Sequence, residues 1–119
     1  MNIKEVSKNI ADFIKDRDWE QFHSPKNISM SIAIEAAELM EHFQWANSAL
    51  ESRAVLKDPK KRQEIEDEIA DIAIYLLDFC NLYKIDLEKA ITEKLQKNIR
   101  KYPVEKVRGK SDKYTAYSE

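Results

Sequence analysis

The sequence predicts an all-α protein, and three observations carry that prediction. Apolar residues recur at helical spacing in four segments, two of those segments open on Asp caps, and the 119 residues contain a single glycine, Gly109. Ile3, Val6, Ile10, Phe13 and Ile14 predict a first amphipathic helix from residue 2 to about 16. Residues 17–27, with Pro25 and several polar side chains around Trp19, Phe22 and His23, read as a turn and loop.

Asn27 is the expected N-cap of a second helix running to about Trp45. Residues 47–57 read as a polar connection with weak helical tendency. Asp58-Pro59 pairs a cap with proline at the first helical position, opening a third helix to about Tyr83. Ile74 and Leu77 project outside its main apolar stripe, which points to burial against a partner subunit as well as the protein's own core. Asp86 caps a fourth helix through Leu87, Ala90, Ile91, Leu95 and Ile99, ended by Tyr102-Pro103. The expected domain is 1–103, followed by a polar tail, 104–119, that orders only on docking.

Composition narrows the function. Charged residues make up 35% and the formal net charge is −2, so no global basic field exists to draw a nucleic acid polymer. The longest run without a charged side chain is about nine residues, far short of the ~20 of a membrane helix, and charges interrupt Ile3 to Ile14 where a signal peptide would be apolar. The expected location is cytoplasmic. One cysteine, Cys80, excludes an internal disulfide and reads as a core residue, and two histidines offer no zinc cluster. Without a glycine-rich loop, P-loop and Rossmann readings fail, and any phosphate must be held through metal or side chains.

Two motifs stand out. Glu35-Ala-Ala-Glu38 and Glu68-Ile-Ala-Asp71 each place two carboxylates three residues apart, on one helix face. At 100° per residue, Glu35 lies about 20° from Ile28, within the stripe of Ile32, Leu39 and Phe43, and Glu38 lies on its shoulder. On the third helix Glu68, Tyr75 and Asp71 lie about 60°, 80° and 120° from Ile65, beside the stripe of Ile69, Ile72, Leu76 and Phe79. If the two faces pack, up to four carboxylates converge. Two like charges ~6 Å apart repel by roughly 3 kcal/mol at an effective dielectric of ~20, and desolvation adds to that cost.

A solvated face with neighbouring Lys or Arg is the alternative, but residues 28–45 contain neither. A cation between the acids is therefore expected, and hard oxygen ligands favour Mg²⁺ or Mn²⁺. Glu41, Glu64, Glu66, Asp67 and Asp78 lie further from the stripes and read as solvated-face residues, with Glu41 also a possible general base. A di-iron bundle would need Glu-x-x-His on two helices, and neither acidic motif carries a histidine three residues on. A non-catalytic helical oligomerisation or interaction module explains the helices but leaves the acids unexplained. Trp19 and Trp45 are core or interface residues unless they stack on a nucleobase, and His23 is a loop residue or a donor to such a base. Lys94 and Asn98, one turn apart, are solvent-facing or reach a phosphate or sugar.

Together these features resemble the MazG-like, all-α nucleoside triphosphate pyrophosphohydrolases, most closely the dCTP pyrophosphatase branch. The resemblance runs through Arg17-Asp-Trp-Glu-Gln-Phe-His23, the first acidic motif with Phe43-Gln44-Trp45, the second with Ile74-Tyr75-Leu76, then Lys94, Asn98, Tyr102-Pro103 and Lys113-Tyr114-Thr115. It implies a four-helix bundle core assembled as a homodimer or homotetramer, with Mg²⁺ held by Glu35, Glu38, Glu68 and Asp71. It implies hydrolysis between the α and β phosphates to a monophosphate and pyrophosphate, with dCTP or a modified dCTP the expected substrate. Trp19, His23, Trp45 and Tyr75 would form the base pocket, and Lys94 and Asn98 would contact phosphate or sugar. Glu38 is the expected proton acceptor. Ala37 departs from the glycine often found in relatives, which narrows the space between the helices.

Overall fold

The computed structural model describes residues 1–110; Lys113-Tyr114-Thr115 lies outside them. Every regular element is helical: α1 (Ile3–Asp16), a 3₁₀ turn (Glu20–Phe22), α2 (Pro25–Glu41), α3 (Ala49–Val55), α4 (Pro59–Tyr83), α5 (Leu87–Lys101) and α6 (Val104–Val107). No strand occurs among the described residues. Side-chain caps explain most of the boundaries. Asn2, Ser48, Asp58 and Asp86 each accept a hydrogen bond from a backbone N–H in the first turn of the helix that follows.

The structure departs from expectation in four places. The cap of α2 is Ser24, whose Oγ accepts from the Asn27 N–H at 3.1 Å. Pro25 is tolerated at the first helical position because no intrahelical bond needs its missing N–H. Beyond Glu41 the chain continues only as turns to Trp45. The connection at 47–57 contains a true helix, because Ser48-Ala-Leu-Glu51 is a capping box: Ser48 Oγ accepts from the Glu51 N–H, and the Glu51 carboxylate reaches back to the Asn47 N–H at 2.6 Å. In the expected tail, α6 forms directly after Pro103.

The contacts divide the chain into two compact units, the first spanning Met1–Lys84. Within it α4 is the spine, with α2 packed along it and α1 beside it. Its most buried apolar residues are Ile10, Ile14, Ile28, Ile65 and Leu77. Ile28 is 1% exposed, and burying a side chain of that size contributes roughly 2 kcal/mol.

The packed face of α4 is rotated from the stripe the wheel suggests. Ile69 and Leu76 are exposed, while Glu68, Ile72, Tyr75 and Phe79 are half-buried and Asp78 is 1% exposed. The apolar residues of α4 spread around the helix, so a wheel cannot tell which side meets α2. Leu77, expected at a partner subunit, is buried inside its own unit, and Asp78, expected on the solvated face, is the most deeply buried polar residue. The second unit begins at Ile85 and carries α5 and α6. On α5, Ile91, Leu95 and Ile99 are all more than half exposed.

Candidate functional site

α2 and α4 bring carboxylates together. One oxygen from each of Glu35, Glu68 and Asp71 lies within 4.8 Å of the others. Glu35 and Glu68 are half-buried, Asp71 is exposed, and Glu35 Oε2 and Glu68 Oε2 are both buried without a hydrogen-bond partner. A buried carboxylate oxygen left unpaired costs on the order of 1–3 kcal/mol, so two side by side mark a place built to receive donors or a cation. Three hard oxygen ligands on rigid helices fit Mg²⁺ or Mn²⁺.

Electrostatics follow from the crowding. Burial, the adjoining carboxyls of Glu38 and Glu68, and the charge of Asp71 push Glu35 from 4.5 up to about 7. Glu68 is raised as well, chiefly by burial and then by Glu38, while Glu35 acts on it in the opposite sense. Glu38 stands outside the group of three but close enough to perturb both buried members.

Beside the cluster opens a cleft of about 680 Å³, lined by Glu38, Glu41, His42, Gln44, Trp45, Lys61 and Glu68. Trp45 is 83% exposed. His42 is the unforeseen neighbour: Nε2 lies 4.0 Å from Glu68 and Nδ1 3.9 Å from Glu64, which also pairs with Lys61 at 3.5 Å. His42 follows Glu35 by seven residues and Glu38 by four, so helical spacing places it on the acidic face; a search for Glu-x-x-His alone passes over it. Glu64, expected on the solvated face, is half-buried and part of this group.

The aromatic loop is elsewhere on the unit. Trp19 packs edge-to-face on Phe13, with ring centroids 5.7 Å apart, and Arg17 covers the Phe13 ring at 3.8 Å. Asp18 takes a left-handed conformation (φ 53°) and accepts from Gln21 Nε2 at its backbone and side-chain oxygens. His23 Nδ1 lies 2.5 Å from Asp78 Oδ2, and Tyr83 donates its hydroxyl to the His23 carbonyl at 2.7 Å. The one Glu-x-x-His spacing in the chain, Glu20 to His23, falls in this loop, and its histidine is taken by Asp78. Asp78 is the only charge between Ile72 and Tyr83; that isolation is the signal from which its burial was readable.

Tyr75 is half-buried on α4, between the acidic motif and Asp78. Lys94 and Asn98 line a shallow groove on α5 with Ala90, Ile91 and Leu95. Cys80 is partly buried, and burial pushes its thiol up.

Comparison with known proteins gives these features a context. The MazG-like family profile matches residues 30–116. The chain is similar to the dCTP pyrophosphatase 1 proteins of Rattus norvegicus (36% identical over 113 residues) and Homo sapiens (34% over 113). Those alignments cover 95% of this chain and 66% of each relative, so the chain spans slightly less than two thirds of their length. In structure it is similar to a crystal structure of a pyrophosphatase from Archaeoglobus fulgidus, with TM-score 0.80 and 44% identity over 85% of this chain and 92% of that one. The two acidic helices, the cluster they build and these likenesses agree, and the chain belongs to the MazG-like family.

Proposed function

We propose that the protein is a metal-dependent nucleoside triphosphate pyrophosphohydrolase, cleaving between the α and β phosphates of dCTP or a base-modified dCTP. The observation that carries this is the meeting of Glu35, Glu68 and Asp71 with two buried, unpartnered oxygens, in a chain similar to proteins named for dCTP hydrolysis.

Glu35, Glu68 and Asp71 would hold Mg²⁺ or Mn²⁺, with Glu38 completing the set. When bound, the metal neutralises phosphate charge and acidifies a coordinated water. The chain's own residues do the rest. The helices hold the carboxylates in place before substrate arrives, so little reorganisation is needed. Glu38, which lines the cleft, would take the proton of the attacking water as pyrophosphate leaves the α-phosphorus. Trp45 offers an open aromatic face for a base to stack on. Trp19, His23 and Tyr75 as base-pocket residues, and Lys94 and Asn98 as phosphate or sugar ligands, are supported by the family resemblance.

A homodimer or homotetramer is part of the same proposal. Met30, Ile34 and Met40 on α2 and Ile69 and Leu76 on α4 are each at least 40% exposed, more apolar surface than a monomer comfortably leaves in water.

The test is product analysis with each canonical ribo- and deoxyribonucleoside triphosphate and 5-methyl-dCTP, with Mg²⁺ and then with EDTA. Metal-dependent release of a monophosphate and pyrophosphate, greatest for a cytosine nucleotide, is expected. Metal-bound, folded protein that turns over none of them would favour the interaction module.

A further inference from the structure

Among the described residues, the His23–Asp78 pair is a buried polar interaction in which the proposed function gives Asp78 no part. Asp78 keeps 2% of its side-chain exposure and His23 15%. Such a pair ties the aromatic loop to α4, and it also sets the chemistry of the imidazole. An ionised carboxylate only accepts hydrogen bonds, so in the neutral ring the proton sits on Nδ1 and is donated to Asp78 Oδ2. Nε2 is then a bare acceptor. It makes no hydrogen bond among the described residues and is not one of the buried unpartnered atoms, so it keeps some exposure to solvent.

Position adds to this. Asp78 follows Asp71 by seven residues, two turns and about 10 Å along α4. That separation is comparable with the span of a nucleoside from its 5′ oxygen to the far edge of its base. A phosphate held at the carboxylate cluster, with its nucleoside running along α4 toward Asp78 rather than toward Trp45, would bring its base toward the His23 edge.

We propose that Asp78 is a specificity-positioning residue, holding His23 as the Nδ1–H tautomer so that Nε2 accepts a hydrogen bond from an exocyclic amino group of the base. This rests on the reading of His23 as a base-pocket residue. Nε2 in this state suits the 4-amino group of cytosine and opposes the 4-oxo group of uracil, where two acceptors would face each other. The discrimination is set by a residue that touches no substrate.

Two measurements test it. In the wild-type protein, long-range ¹H–¹⁵N correlation of the His23 ring at pH 8 is expected to show a protonated Nδ1 and a bare Nε2; a proton on Nε2, or on both nitrogens, overturns the proposal without any variant having to fold. The second measurement is the ratio of kcat/KM for dCTP over dUTP. The amide of Asp78→Asn can donate as readily as accept, so it no longer selects a tautomer, and the ratio is expected to fall by about tenfold, the scale of one hydrogen bond to a ligand. A purely structural tie would lower both substrates alike, and an unchanged ratio overturns the role of Asp78.

His23→Ala separates the two layers. If it too leaves the ratio and KM unchanged, His23 is not in the base pocket. If it removes the preference while Asp78→Asn keeps it, only the Asp78 proposal fails. Wild-type protein that hydrolyses neither nucleotide overturns the functional reading and this inference with it.

Discussion

Glu35 on α2 and Glu68 on α4 each bury one carboxylate oxygen with no hydrogen-bond partner, in a cluster whose third member is Asp71. Two acids from different helices, desolvated and close, oppose the packing of the helices that carry them. Their proximity is a cost in the metal-free protein, and a divalent cation would turn it into a ligand set.

The sign of the pH dependence follows. Glu35 sits at about 7 in the folded protein against an ordinary 4.5, so between these values the folded state holds more protons than the unfolded one. Metal-free stability is expected to fall as pH rises from about 4.5 through 7. Thermal unfolding in EDTA across that window checks it, and added Mg²⁺ or Mn²⁺ at pH 8 should raise Tm.

Glu35→Gln should act in opposite directions on stability and function. Removing one charge from the crowded cluster is expected to raise the metal-free Tm by a few degrees, while loss of a ligand lowers turnover by at least about a hundredfold. A variant whose stability and turnover both fall would mean that Glu35 is structural.

Glu38→Ala should abolish turnover while the helical circular dichroism signal and Mg²⁺-induced stabilisation persist in part, because Glu38 stands beside the group of three. Substantial remaining activity would remove Glu38 as proton acceptor.

Trp45→Ala changes a side chain that is 83% exposed, so stability should shift by no more than about 0.5 kcal/mol. Loss of a stacking face worth roughly 1–3 kcal/mol should raise KM by about fivefold to 150-fold. An unchanged KM for the preferred nucleotide would take Trp45 out of the pocket.

Light scattering should give a mass that is a multiple of the 14.0 kDa protomer. Ile34→Glu, on the exposed apolar side of α2, is expected to shift it toward the monomer. A wild-type monomer would show that this surface serves another purpose.

Local chemistry by itself determined most of the helices: Asp58-Pro59 and Asp86 caps, and the 3.6-residue recurrence of Ile, Leu and Phe, act within a turn or two of chain. The acidic motifs were legible too, because carboxylates three residues apart share a face whatever the helix packs against. Which face of α4 turns inward was decided only by tertiary structure, since apolar residues surround that helix and the choice depends on its fit to α2. That rotation buried Asp78 and exposed Ile69 and Leu76. It also set the partners of His42 and His23, which lie 26 and 55 residues away in sequence at Glu68 and Asp78. Pairings across such distances depend on how helices dock, which helical periodicity does not encode.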